Sequence, residues 1–337
     1  MTNQLEIDAH YLSENLSAKH FSSMNILLTG ASGLLGLNIL MFLDTVLKYQ
    51  NIHFRVLAIS KTLPSIKRDW HPSILFRAEN LIDLEFSKFK EKFNMVIHAA
   101  TYGQPSKFIV QSRETLYLNG PVVLGLLSVL ERGGKFVYLS TSEVYFGSQK
   151  VPYSESDIGQ MLVDHDRSAY YYGKLFGEVA ALKYSQDIVP RILRVSLCYG
   201  PGTKLDDQRV MNEFIRSACL KGEIRLIDQG QAVRNYCYVR DFAEMMYRIV
   251  SDGSKNVYNV CGNSETNVAD LARLIGEFIG AQVIFPQDND NALSAPEKVN
   301  VSAERYGVEF PFPKFIDLRE GLKRTIEWQK EYLYGTT

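Results

Sequence analysis

The sequence predicts an α/β protein, a doubly wound parallel sheet followed by a smaller mixed α/β C-terminal lobe. Three observations predict it. From Met24 to about Val195 short apolar runs alternate with helical segments, and such an alternation needs crossover connections, which make a sheet parallel. A turn carrying Gly30, Gly33 and Gly36 follows the first apolar run. Past Gly200 the alternation stops and helices and strands come in mixed order. A chain of 337 residues can hold one large unit or two intimately packed ones, with ample core.

In chain order, residues 1–23 form an N-terminal arm. Leu5, Ile7, Tyr11, Leu12 and Leu16 fit a short amphipathic helix packed on the body, and a disordered extension is the alternative. Residues 24–196 read as a nucleotide-binding unit, with strands near 24–29, 55–59, 73–78, 95–100, 135–140 and 191–196 and helices near 34–49, 106–131 and 168–185. Residues 197–337 read as a closely associated lobe. It has helices at Arg209–Leu220, Val239–Val250, Val268–Ile279 and Leu318–Tyr332, strands at Ile224–Ile227 and Val257–Val260, and a polar loop at Asp288–Ala295. No repeat or low-complexity linker separates the two, so a cleft between packed lobes is expected.

Composition narrows the function. With 22% charged residues and a net charge near −1 the chain has no general attraction for nucleic acid or anionic membrane. No apolar stretch approaches the roughly 20 residues needed to span a bilayer, and the polar N-terminus has no signal-peptide core. Cysteines 198, 219, 237 and 261 lack C-x-x-C spacing and read as reduced thiols in a cytoplasmic protein. The six histidines show no metal spacing, so no metal is expected, and His98 reads as a packed strand-end residue.

The first chemical motif is Gly30-Ala31-Ser32-Gly33-Leu34-Leu35-Gly36. A strand feeding a helix through a turn without side chains aims backbone N–H groups and a helix N-terminus at one point, which suits a diphosphate. The absence of G-K-[ST] disfavours a nucleoside-triphosphate loop. The second motif is Tyr170 and Lys174, four apart and so on one helix face. Bringing a phenol of pKa about 10 towards 7 needs roughly 4 kcal/mol of differential stabilisation, which a nearby ammonium and an oxidised nicotinamide can supply. The third is the strand end Thr141-Ser142-Glu143, placed where open α/β sheets bind ligands. Thr141 suits a substrate hydroxyl, and Glu143 suits general acid or base work.

Taken in that order, the three motifs resemble the extended short-chain dehydrogenase/reductase family of nucleotide-sugar epimerases, dehydratases and decarboxylases, over Met24 to about Trp328. The resemblance implies a Rossmann-type domain binding NAD or NADP through Gly30, Ala31, Ser32, Gly33, Leu34, Leu35 and Gly36, with Ser60, Lys61, Asn80, Leu81, Ala99, Ala100, Thr101, Asn119, Tyr170 and Lys174 beside the cofactor. It implies a nucleotide-sugar substrate and a homodimer formed through the helices near 106–131 and 168–185. Within the family the chain is most similar to UDP-glucuronate decarboxylases. Thr101 to Phe108, including Gln104, resembles their substrate-side loop, and the segments around Arg209 and Arg234 resemble those that hold the nucleotide diphosphate; guanidinium groups suit phosphate.

Three departures stand out. Ser60-Lys61 ends the second strand where an NAD-preferring site has an acid, and this pair would tolerate the extra phosphate of NADP. Leu197 takes the place of the family's asparagine, and Phe146 to Asp166 is longer than the decarboxylase pattern. The chemistry the resemblance implies is oxidation at C4 of a nucleotide-linked hexose. Tyr170 removes the O4 proton, Lys174 holds the ribose, Thr141 bonds O4, and Ser142 with Glu143 decides the outcome. Decarboxylation ranks first, with 4,6-dehydration and 4-epimerisation as alternatives; a dinucleotide-binding sensor without turnover is the reading from a different class.

Overall fold

The computed structural model describes residues 3–66, 68–287 and 298–335; the polar loop expected at Asp288–Ala295 lies outside them. The chain opens with helix α1 (Gln4–Asn15), capped by the Asn3 side chain. There follow β1 (Asn25–Thr29), α2 (Leu34–Tyr49), β2 (Arg55–Ser60), β3 (Ile74–Ala78) and β4 (Phe93–His98). Next come α3 (Pro105–Phe108), α4 (Ser112–Asn119), α5 (Pro121–Ser128), β5 (Leu130–Thr141), α6 (Ser168–Lys183), β6 (Val189–Val195) and β7 (Leu197–Tyr199). The remainder is α7 (Val210–Lys221), β8 (Glu223–Arg225), β9 (Val233–Tyr238), α8 (Val239–Asp252), β10 (Val257–Val260), β11 (Ser264–Asn267), α9 (Val268–Ile279), β12 (Gln282–Ile284), β13 (Lys298–Val299), α10 (Glu304–Glu309) and α11 (Leu318–Gln329).

Seven strands form a parallel sheet in the order β10-β6-β5-β4-β1-β2-β3. Its order reverses between β1 and β4, and at such a switch point the loops leaving neighbouring strands diverge and open a crevice. Buried runs such as Ile26, Leu27 and Leu28, or Val96 and Ile97, are packed on both faces of the sheet, which is why these strands read as continuous apolar segments rather than alternating ones. The expected doubly wound architecture is present. One strand changes place: Val257–Val260, assigned from sequence to the C-terminal lobe, pairs with β6 and completes the large sheet. A smaller sheet joins β7, β9, β11 and β13, and β8 pairs with β12.

Most element boundaries match the sequence pattern closely, and the exceptions have local causes. The helix expected at 106–131 is broken into α3, α4 and α5. Gly120 leaves the helical region at φ −114° and ψ −95°, and Pro121, which has no N–H to donate, opens the next helix. Residues 130 and 131 already belong to β5. Strand β4 ends at His98, so Ala99 and Ala100 lie in the loop beyond it. Ile227, expected at a strand end, is almost fully exposed.

Residues 4–15 adopt the helical alternative. Leu5, Ala9, Leu12 and Leu16 are buried, whereas Ile7 faces solvent. Asp8 on the buried face accepts a hydrogen bond from the Tyr238 hydroxyl at 2.7 Å and pairs with Arg324 at 3.4 Å; burial raises its pKa against these partners. The arm is therefore docked on both the large sheet's helices and the C-terminal segment. Leu12→Ala should lower unfolding stability by about 2–4 kcal/mol, as for other buried leucines. Urea denaturation monitored by circular dichroism measures this, and a loss under about 0.5 kcal/mol would contradict the docking.

Candidate active site

The glycine turn lies at the carboxyl end of β1. Gly30 has φ +75°, open to glycine at little cost, and its N–H donates to the Ile59 carbonyl at 2.8 Å. A Cβ on Gly30 would sit 2.6 Å from the Ala99 carbonyl oxygen, and one on Gly36 would sit 2.1 Å from that of Gly30. Backbone thus replaces side chain on both sides of the turn. Ala31 is buried, Ser32 is half-buried, Gly33 is the N-cap of α2, and Leu34 and Leu35 open the helix. A cradle of close backbone ending in unpaired first-turn N–H groups fits a dinucleotide diphosphate.

Beside it, the loop after β4 is fixed from behind. Asn119, fully buried where α4 ends, donates to the Thr101 hydroxyl at 3.0 Å and to the Thr115 carbonyl, and accepts from the Tyr138 hydroxyl at 2.9 Å. His98 is packed: one ring nitrogen lies 2.7 Å from the Thr29 hydroxyl, the other 3.0 Å from the Leu118 carbonyl oxygen. Burial, with the charge of Lys174 in addition, lowers its pKa to about 3, so the ring is neutral. Asn119 and His98 hold Ala99, Ala100 and Thr101 in place against the turn.

Helix α6 carries Tyr170 and Lys174 on its buried face. Tyr170 stacks on Phe108 with centroids 4.4 Å apart and planes 4° from parallel. Burial pushes its phenol up to about 12; a hydrogen bond with Thr141 opposes the rise, nearby Glu143 adds to it, and Arg209 and Arg167 oppose it. Lys174 is 2% exposed and donates to the Leu139 carbonyl at 2.6 Å. Its Nζ lies 4.8 Å from the Tyr138 ring centre and 5.9 Å from that of Tyr170. Burial brings it down to about 7, with Glu178 working the other way. The sequence predicts a phenol lowered towards 7 by the ammonium together with an oxidised nicotinamide. In the protein alone desolvation outweighs that attraction, because both groups are buried and the ammonium's hydrogen bond goes to the strand.

Strand β5 delivers Thr141, Ser142 and Glu143 to the same place. Its end is anchored by a buried network: the Ser140 hydroxyl donates to Glu178 at 2.5 Å, and Glu178 pairs with Arg194 at 2.8 Å. Thr141 caps the following turn, accepting from the Glu143 N–H at 3.2 Å, and Ser142 is half-buried within it. Glu143 is not a free acid. Both its oxygens accept from Nη1 of Arg167, at 2.8 and 2.9 Å. Arg167 stands at the start of α6, with its guanidinium 5.7 Å from the Phe108 ring.

The substrate-side candidates converge on this group. Arg209 forks onto Asp207, with contacts of 2.6 to 3.1 Å, donates to the Cys198 carbonyl, and is electrostatically coupled to Tyr170. Arg234 on β9 donates to the Val233 carbonyl at 2.7 Å; burial lowers its pKa, and Tyr236 and Glu143 raise it. The Gln104 side chain accepts from the Gln208 N–H at 3.0 Å, which ties the loop after β4 to the loop before α7. The long segment 146–166 is pinned to α6 through the Tyr171 hydroxyl on Gly159 and the Tyr172 hydroxyl on Met161.

Other candidates hold local structure in the protein alone. The Ser60 hydroxyl donates to the Thr62 carbonyl at 2.7 Å, and Lys61 is exposed. Asn80 caps the short turn Leu81–Asp83, and the Leu81 side chain is core, packed in a cluster with Ile59 and Val123. Leu197 is the first residue of β7. Arg167, Phe108 and Asp207 were missed from the sequence; the signal for Arg167 was its place three residues before Tyr170, at the opening of the same helix.

With that geometry in hand, comparison places the chain. The sequence profile of the NAD dependent epimerase/dehydratase family matches residues 26–261, and the chain belongs to that family. It is 28% identical over 313 residues to UDP-glucuronic acid decarboxylase 6 of Arabidopsis thaliana, covering 89% of this chain and 87% of that one. Against decarboxylase 1 of the same plant it is 26% identical over 236 residues, 69% of this chain and 54% of the relative; the chain spans little more than half the length of the first such relatives. Its fold is that of a dTDP-glucose 4,6-dehydratase from Streptomyces venezuelae, solved with NAD bound, with TM-score 0.79 at 19% identity over 93% of this chain and 99% of that one.

The cradle gives a direct test. Gly36→Ala must push the Gly30 carbonyl aside, so NADH binding, followed by fluorescence titration, should fall at least about tenfold while far-ultraviolet circular dichroism is unchanged. Unchanged affinity would contradict the cradle's role.

Proposed function

We propose that this chain is a nucleotide-sugar enzyme that works through a 4-keto intermediate, with a UDP-glucuronate-type decarboxylation as its outcome. The observation that carries the reading is the convergence of Tyr170, Thr141, Lys174 and Glu143, with Arg209 within electrostatic reach of Tyr170 and Arg234 within that of Glu143. The decarboxylase relatives, one of them matched over most of its length, support this outcome over the others. NAD or NADP, held by Gly30 to Gly36, the loop at Ala99 to Thr101 and Lys174, supplies hydride acceptance and return when bound.

The chain's own residues do the rest. Tyr170 takes the O4 proton, and Thr141, hydrogen-bonded to the same phenol, orients O4. Lys174 supplies a positive charge behind the phenol and can hold a ribose hydroxyl. The Phe108 ring covers Tyr170 and keeps water from it. Once C4 is a ketone, a carboxylate on C5 is β to the carbonyl and leaves as CO₂, the electrons passing to the enolate oxygen, where the Tyr170 proton stabilises them. Both carboxylate oxygens of Glu143 are engaged by Arg167 Nη1, at 2.8 and 2.9 Å, so the side chain is committed and not free to reach a leaving group. That favours decarboxylation over dehydration, which needs an acid for the departing C6 hydroxyl.

Arg209 and Arg234 are assigned to the nucleotide diphosphate, and Gln104 to the sugar side of the cleft. Ser60 and Lys61 leave room for the 2′-phosphate of NADP. The exposed apolar side chains Leu116, Tyr117, Leu124, Tyr172, Phe176 and Val179 on α4, α5 and α6 support a homodimer through these helices. The four cysteines are free, which fits the reducing cytoplasm, and among the described residues no helix is long and apolar enough to cross a membrane.

Incubation with UDP-, GDP-, CDP- and dTDP-sugars, followed by mass spectrometry, tests the reading. UDP-glucuronate should lose CO₂; loss of water from a neutral sugar would point to a dehydratase instead. Tyr170→Phe should abolish turnover, by at least about a hundredfold for a general base, while retaining nucleotide. Full turnover by that variant would remove Tyr170 from the mechanism; an unchanged mass with an inverted sugar carbon by NMR would point to an epimerase, and neither change in the native protein would favour the sensor.

A further inference from the structure

The loop between β7 and α7 carries Arg209 at one end, and at the other it reaches the glycine turn. Lys204, in this loop, donates from Nζ to the Ser32 hydroxyl at 3.3 Å. Ser32 also accepts from the Thr62 hydroxyl at 3.3 Å, and Thr62 holds the Ser60 hydroxyl through its carbonyl. Four side chains from three separate segments therefore meet over the start of α2. Lys204 forms no ion pair among the described residues, whereas its neighbours are paired: Lys107 with Asp206 at 2.6 Å and Arg209 with Asp207. Lys204 is exposed as a residue, yet desolvation lowers its ammonium's pKa, Asp206 raises it, and the like charge of Lys107 lowers it further.

A cation held against a hydroxyl, at the N-terminus of a helix and a turn stripped of side chains, lacks only an anion. Its loop is tied to the segment after β4, by Gln104 on the Gln208 N–H and by Lys107 on Asp206. The ammonium is therefore placed over the turn by loop structure and not by reach alone.

We propose that Lys204 is a phosphate ligand for the bound dinucleotide, supplied by the second half of the chain and laid over the glycine turn by the loop at 203–209. This rests on the cofactor reading above and adds to Lys61 and Lys174 of the first half a third cationic group, supplied by the second half. The phosphate is either of the diphosphate, beside α2, or the 2′-phosphate of NADP, beside Ser60 and Thr62. The chemistry is the same, and the two sources are separable by experiment.

The test is equilibrium titration of NADH and NADPH fluorescence with the full-length protein and its Lys204→Met and Lys204→Arg variants, without substrate. A charge-assisted bond to phosphate predicts about ten- to a hundredfold weaker binding for Lys204→Met and substantial recovery in Lys204→Arg. Weakening of both dinucleotides assigns the diphosphate, and weakening of NADPH alone assigns the 2′-phosphate. Unchanged affinity for both overturns the proposal while leaving the cofactor reading standing. Native protein that binds neither dinucleotide overturns both.

Discussion

Lys174 is the constraint around which the site is built. An ammonium buried without a carboxylate of its own costs several kcal/mol unless hydrogen bonds offset the loss of water, and here the Leu139 carbonyl supplies one. That bond needs β5 and α6 in fixed registry, which the Ser140–Glu178–Arg194 network provides from below. The desolvation cost of the ammonium is fully present below about pH 7 and is relieved as pH rises from there towards the ordinary lysine value, so this group makes the fold more stable on the alkaline side. A fold optimised for stability alone would place an apolar side chain there.

From that point the rest of the site follows by connectivity. Helix α6 places Arg167, Tyr170 and Lys174 within two turns, and the end of β5 sets Thr141 and Glu143 against them. The rigid sheet supplies the groups that must be exact, the glycine turn and the strand end. The second half of the chain supplies cations, on the loop before α7 and on β9. Asp8 on α1 accepts from Tyr238 and pairs with Arg324, which ties the N-terminal arm to the second half of the chain.

Much of this was legible in the sequence, and for physical reasons. Helices α2 and α9 and strand β10 fall where their apolar periodicity puts them, because tertiary packing and local preference agree. The Tyr170–Lys174 spacing and the glycine turn are local patterns and survive in one dimension. What could not be read was non-local. That β10 crosses to the large sheet depends on pairing with β6, more than sixty residues earlier. The clamp of Arg167 on Glu143 joins two elements separated by the unfamiliar segment 146–166. Asn80 and Leu81, set beside the cofactor by resemblance, also serve as a turn cap and a core side chain, roles that only the packing reveals. The upward shift of the Tyr170 phenol in the protein without dinucleotide comes from desolvation, a property of the folded surroundings that a four-residue spacing does not carry.

Tyr170 and Lys174 form a desolvated pair whose phenol ionises only when further positive charge arrives beside it. The difference in tyrosinate absorbance between the native protein and Tyr170→Phe, titrated with pH in the absence and presence of saturating NAD⁺, measures this directly. The phenol should titrate near pH 12 alone and fall by several pH units with the dinucleotide bound. An unshifted titration with the dinucleotide bound would contradict it.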